Sequence, residues 1–325
     1  MRAAYYEKNG AAADVLMVGE VDTPRPGAGE VRVKLAVSGV NPSDVKSRAG
    51  SRKAMSPFVI PHSDGAGVID LIGPGVPPGR IGERVWVWNG QWKRPFGTAA
   101  EYIVLPQAMA VPLPGKISFE AGACLGIPAM TAVHALHLAN TGEGTTLLIP
   151  GGAGAVAHYA IQFAKARKAN VMTTVSSDAK AKIAQAAGAD HVINYKTENV
   201  GERVMALTAN RGVDAVIELD LLANAKLLPG VLRPKGTVIV YGAGGPEATI
   251  PAQFCLVNSI RLQFMLVYEI TQQERERAVL AIQRMLEQNR LINNVALAFP
   301  LNDIVSAHQT VEQSKVAGNV VVTLP

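Results

Sequence analysis

Cysteine is almost absent from this 325-residue sequence: there are two, Cys124 and Cys255, far apart and not in a Cys-x-x-Cys pair. That excludes a disulfide-built scaffold and fits a reducing compartment, so a cytoplasmic location is expected. Long apolar runs are also missing. A stretch such as 213–222 is broken by Asp214, Glu218 and Asp220, well short of the roughly 20 apolar residues of a membrane span. The first residues pass straight into mixed sequence, with no apolar segment and cleavage site of the kind a signal peptide carries. Charge is sparse at 18%. The net charge of +5 comes from scattered Lys and Arg, not from runs interleaved with aromatics. Nucleic-acid binding is therefore not expected, and the positive balance reads as a solvated face with some attraction for an anionic cofactor.

What is present is apolar residues, 48% of the chain, enough for two buried cores at this length. Three zones differ in texture. Residues 1–120 alternate short apolar segments, such as 31–37 and 85–88, with Gly/Pro turns, which predicts a mainly β domain. Residues 121–262 predict strands alternating with helices: strands at 145–149, 170–175, 191–194, 213–219 and 237–242, with helices at 154–168 and 179–187. Gly188 is the natural stop of the second helix. Such alternation means a parallel, doubly wound sheet. Residues 263–325 hold a long amphipathic helix over about 272–289 and a closing strand at 319–324. That strand is expected to return to the first domain.

The first strand of the alternating zone runs into Gly151, Gly152, Ala153, Gly154, Ala155, Val156 and Ala157. The spacing Gly-x-Gly-x-x-Ala between a strand and a helix is a dinucleotide signature. Glycine lets the backbone approach a pyrophosphate, and the helix N-terminus offers N–H groups and partial positive charge. The second strand decides the cofactor. An NAD site places an acid at its end for the ribose 2′-hydroxyl; here the strand ends Val175, Ser176, Ser177, with Lys180 a turn further on. Hydroxyls and an ammonium suit a 2′-phosphate, so NADPH is expected. Asp178 reads as a helix-start residue. Gly242, ending the strand at 237–242, joins the expected cofactor contacts.

Beyond the turn, the motifs GVNPSD (39–44), IPHSDGAG (60–67), GERV (82–85), GTAAEY (97–102) and GADHVINY (188–195) occur in order. Together they resemble the medium-chain dehydrogenase/reductase superfamily, and within it the zinc-free, zeta-crystallin-like quinone oxidoreductases, over essentially the whole chain. The resemblance implies a discontinuous GroES-like β domain, residues 1–120 and 263–325, and a Rossmann domain between them in sequence, with NADPH in a cleft. It adds Tyr195 to Ser177 and Lys180 as a 2′-phosphate contact. The catalytic zinc positions of the zinc-containing relatives fall on Asn41, Ser63 and Ile127, which cannot make a Cys/His shell, and two cysteines cannot build the relatives' four-cysteine structural site. His62 is one residue out of register, and His134 and His137 are expected to be packing residues. No metal is expected.

Without a Lewis acid, hydride addition to an already conjugated acceptor is the easier reaction. A quinone is the first expectation; an enone or 2-enoyl thioester is the alternative, and an NADPH-binding protein with little turnover the alternative of another class. Asn41, Lys46 and Thr131 are the candidates beside the acceptor: Asn41 as a donor to a carbonyl, Lys46 as a proton source or enolate stabiliser, Thr131 on the helix beside the nicotinamide. Lys46 reads equally well as a surface lysine. Asp44 is expected to hold its loop, and Trp86, Trp88, Trp92 and Phe96 to shape a flat pocket or pack a core. The resemblance also suggests a homodimer, through a bare edge strand at 261–267.

Overall fold

The computed structural model describes residues 1–314 and 316–325. The chain divides into two compact units, Met1–Pro128 with Gln283–Pro325, and Ala129–Ile282. Both crossings come later than the changes of texture at residues 120 and 262. The turn Leu125–Ala129 is tied back into the first unit by the Ile127 N–H. The strand Arg261–Phe264 pairs with Leu232–Val240, and Glu274 and Arg277 reach His134 and His137 of the second unit.

The first unit is built on the strand Glu30–Val40, which pairs antiparallel with Asp64–Ile72, Tyr102–Pro106 and Asn319–Thr323. Its residues alternate as a half-buried strand must: Val31, Val33, Leu35 and Val37 are buried, while Lys34 is exposed. Ile69, Val85, Val87, Ile103 and Leu105 pack against this face. Arg32, on the other face, holds Asp70 with two hydrogen bonds of 3.0 and 2.7 Å. The strand runs three residues past the sequence expectation because Val320, Val321 and Val322 pair with Val40, Gly39 and Ser38. Those partners lie nearly 300 residues away in the chain, where local pattern gives no sign of them. The C-terminal strand thus joins the N-terminal sheet, between Glu30–Val40 and Val295–Pro300, and the helix Ile304–Glu312 packs on it.

The second unit is an all-parallel sheet in the order His191–Asn194, Asn170–Val175, Thr146–Pro150, Val213–Glu218, Leu232–Val240, Arg261–Phe264. This is the 3-2-1-4-5-6 arrangement of a doubly wound dinucleotide fold. Thr146–Pro150 is buried throughout, as a strand covered on both faces requires. The fifth strand begins at Leu232, before the expected 237: its register shifts between the Val213↔Leu232 and Ala215↔Thr237 pairs, and Lys235 has φ +60°. Pro234 and Gly236 inside that irregularity hide the strand from a pattern search. Among the described residues no helix is long and apolar enough to cross a membrane.

Candidate functional site

The sheet order reverses beside Thr146–Pro150, and ligands of such sheets bind outside the strand ends at that point. The strand leaves through Gly151 at φ +73°, a left-handed conformation that disfavours a side chain. Both Gly151 N and Gly152 N donate to Thr174 O at 3.1 Å, and Gly154 N donates to Gly151 O at 2.8 Å. A Cβ on Gly152 would collide with Thr173 Oγ1 and stand 2.9 Å from Thr173 Cγ2, so only glycine lets the turn lie against the second strand. Gly154 is the N-cap of the helix Ala155–Ala166 and caps with no side chain. The first-turn N–H groups of a helix have no acceptor within it, so Ala155 and Val156 bring donors to an uncapped, positively polarised end. Ala157 is buried behind them. This cradle fits a pyrophosphate.

Leu219 borders the same turn, its Cδ2 3.2 Å from where a Gly151 Cβ would be. A Cβ on Gly242 would collide with the Leu219 carbonyl oxygen. Gly242 is thus set by close approach of the loops that follow the fourth and fifth strands. Leu219 was not a sequence candidate; an apolar residue ending a strand carries no motif. Glu218 beside it is buried and accepts from Asp220 N at 2.6 Å and Asn224 Nδ2 at 2.9 Å. Burial pushes its carboxyl up, against those bonds.

Ser176, Ser177, Lys180 and Tyr195 come together at the ends of the second and third strands. The Tyr195 N–H donates to Val175 O at 3.1 Å, directly before the two serines. Ser177 is also the N-cap of the helix Asp178–Ala186, accepting from Lys180 N at 3.4 Å. Asp178 lies in that helix's first turn. The Tyr195 ring is 49% exposed, with Lys196 Nζ 5.5 Å from its centre.

In the first unit, Asn41 precedes the helix Pro42–Lys46 and forms a capping box with Asp44, whose Oδ2 accepts from Asn41 N at 2.8 Å. Asn41 Nδ2 donates to Asp64 Oδ2 at 2.8 Å, and Ile127 N reaches both oxygens of Asp64 at 2.9 Å. Asn41 and Ile127 therefore bond a buried carboxyl group that sequence reasoning did not single out, while the N–H of Ser63, next to it in the chain, bonds Asp44. Asp44 and Asp64 are both buried. Burial pushes Asp44 up to about 7 against the hydrogen bond from Asn41, and pushes Asp64 well up against those from Ile127 and Asn41. Lys46 is exposed at the end of its helix. Thr131 belongs to the second unit, buried on the helix Met130–Leu138.

His62 stands at φ +78° and bonds Ser38 Oγ through Nδ1 at 2.8 Å and His308 Nε2 through Nε2 at 2.9 Å. His134 and His137 do more than pack: Glu274 lies 3.9 Å from His134 Nε2, and the Arg277 guanidinium donates to His137. Both partners come from the helix Gln272–Glu287, too distant in sequence for spacing to show. Trp86 and Trp88 are core residues, Trp92 lies under the Arg52 guanidinium at 4.4 Å, and Phe96 packs against Phe58. Among the described residues no three His, Cys, Asp or Glu side chains are grouped to hold a metal ion.

Two halves of one architecture are recognisable in known families. Residues 27–115 match the alcohol dehydrogenase GroES-like domain and residues 155–284 the zinc-binding dehydrogenase domain. The fold and both matches define a medium-chain dehydrogenase/reductase. A quinone oxidoreductase of Lama guanicoe is 29% identical over 100% of this chain and 97% of its own length. One from Pseudomonas aeruginosa is 32% identical over 72% of this chain and 71% of its own. A mycobacterial protein solved in complex with NADPH superposes with a TM-score of 0.88 at 27% identity, covering 99% of each chain. The chain belongs to the quinone oxidoreductase family.

Proposed function

We propose that this protein is an NADPH-dependent reductase that passes hydride to a quinone or a similar conjugated carbonyl without zinc. The observation that carries this reading is the cradle at residues 151–157, together with Ser177, Lys180 and Tyr195 at strand ends where an NAD site would carry an acid. The backbone of residues 151–156 would hold the pyrophosphate, with Gly242 giving close approach. Ser176, Ser177, Lys180 and Tyr195 would hold the 2′-phosphate. NADPH, when bound, supplies the hydride; the chain supplies placement. Asn41 would donate an amide N–H to the acceptor carbonyl, Thr131 would line the reduced ring, and exposed Lys46 would meet charge developing on oxygen. Conjugation already delocalises that charge, and Asn41, Ser63 and Ile127 are a donor set unsuited to zinc.

The test is steady-state NADPH oxidation with 1,4-benzoquinone, an alkenal and a crotonyl thioester, in metal-free buffer. Fastest turnover with the quinone is expected. A strong preference for the thioester overturns the acceptor assignment, and tight NADPH binding with no oxidation across the panel makes this a binding protein. One equivalent of zinc surviving chelation contradicts the zinc-free reaction.

We also infer a homodimer in a reducing, cytoplasmic setting. Arg261–Phe264 is the last strand of its sheet, and Phe264, Leu266, Leu256 and Val257 on and near it are 51–76% exposed. A bare apolar edge of this kind calls for a partner. Phe264→Lys should yield monomers by light scattering, where the parent chain gives dimers.

A further inference from the structure

We propose that Asp64 is a positioning residue for the acceptor: its carboxylate fixes the side-chain amide of Asn41 by binding it and the Ile127 N–H at once. This rests on the acceptor role assigned to Asn41. Asp64 is wholly buried, and it joins three stretches distant in sequence: the start of the helix Pro42–Lys46, the first residue of the strand Asp64–Ile72, and the turn Leu125–Ala129. The surroundings are cut to admit it. A Cβ on Gly126 would collide with Asp64 Oδ1; one on Gly39 would stand 3.1 Å from Asp64 Cβ and collide with Ala123 O. Gly126 thus leaves room for the carboxyl group, and Gly39 for the close approach of Ala123 beside the Asp64 Cβ.

Asn41 is held from both sides. The Asp44 carboxylate takes its main-chain N–H, the capping box engages its side chain, and Asp64 takes one amide hydrogen. An asparagine amide has two N–H donors, so one is spent on Asp64 and the second serves the acceptor carbonyl. Asn41 Nδ2 faces Asp64 Oδ2 at 2.8 Å, and this contact fixes the orientation of the amide. The charge that acts on Asp64 is that of Asp44, of the same sign, and its hydrogen bonds come from Asn41 and Ile127. A buried carboxylate held by amide donors alone is a poor source of stability, and an apolar residue would serve a purely structural role better.

The test is a double-mutant cycle on the full-length protein with 1,4-benzoquinone as acceptor. Asp64→Asn and Asn41→Ala should each lower kcat by about 10- to 100-fold, with NADPH affinity within twofold of the parent. The double variant should be no slower than Asn41→Ala alone. Multiplied losses in the double variant, or parental kcat in a folded Asp64→Asn, overturn the proposal. A second measurement needs neither turnover nor a folded variant: with 15N-asparagine labelling, the Asn41 amide should give a pair of distinct, slowly exchanging proton signals. Rapid exchange of both signals overturns the proposal. If the parent reduces no quinone, the acceptor reading fails while this amide signal still judges the anchoring by Asp64.

Discussion

The two units prepare for chemistry in opposite ways. In Ala129–Ile282 the candidate cofactor site is made of backbone: glycines chosen for the absence of a side chain, and a helix end left uncapped. In Met1–Pro128 with Gln283–Pro325 the polar interior is made of side chains hydrogen-bonded to one another. Asn41, Asp44 and Asp64 form one buried cluster. Thr98, Ser38, His62 and His308 form a second, linked to the first where Thr98 Oγ1 donates to Asp64 O at 2.5 Å. A backbone cradle tolerates many side chains around it but no added carbon within it. A side-chain network tolerates neither a lost partner nor a changed charge, since each unpaired buried group costs about 1–3 kcal/mol.

The largest effect should come from adding that one carbon. Gly152→Ala places a methyl on Thr173 Oγ1, and moving the turn to relieve it misaligns the N–H groups. NADPH affinity should fall by about 100-fold or more, read by cofactor fluorescence titration. Affinity unchanged in a folded variant would mean that the turn does not carry the pyrophosphate.

The side-chain network should show itself through pH. Burial lowers His62 from 6.5 to about 3 and His308 well below its ordinary value, with His62 and Arg48 adding to the latter. Between about 3 and 6.5 the unfolded chain therefore holds more protons at these sites, and their contribution to stability is lost as pH falls through that window. Asp44 has the opposite sign. Raised from 3.8 to about 7, it favours the folded state in acid and loses that contribution as pH rises through about 7. Between pH 6.5 and 5 the His62 imidazole should cost roughly 1–2 kcal/mol, and His308 acts in the same direction. His308→Gln should reduce the drop in Tm over this range, and Asp44→Asn should enlarge it. Equal drops in all three proteins would remove both clusters as the source.

The same contrast explains what the sequence disclosed. A backbone site is local, so spacing reveals it: Gly151, Gly152 and Gly154 lie between a buried strand and a helix, and the parallel order follows from alternating strands and helices. Side-chain networks are assembled from afar. Asp64 meets Asn41 and Ile127, His62 meets His308, and Glu274 meets His134, each across tens to hundreds of residues, and a single buried aspartate inside a strand start has no periodic signature. The strand at 232–236 was hidden by Pro234 and Gly236, and the end of Glu30–Val40 by partners at Val320–Val322.

The finest distinction lies within the cofactor site, where side chains do enter. Ser177 has two tasks, since its hydroxyl caps the helix Asp178–Ala186, whereas the Lys180 ammonium has no such structural duty in that cap. Ser177→Ala should therefore lower Tm as well as NADPH affinity, by the roughly 1 kcal/mol of a lost N-cap. Lys180→Ala should leave Tm in place and weaken NADPH by about 10-fold, the worth of a charge-assisted hydrogen bond to phosphate, with NADH unaffected. Equal losses for the two cofactors in Lys180→Ala would move the 2′-phosphate contact elsewhere. A selective loss would show that the choice between cofactors is made by side chains at the strand ends, while the turn supplies affinity common to both.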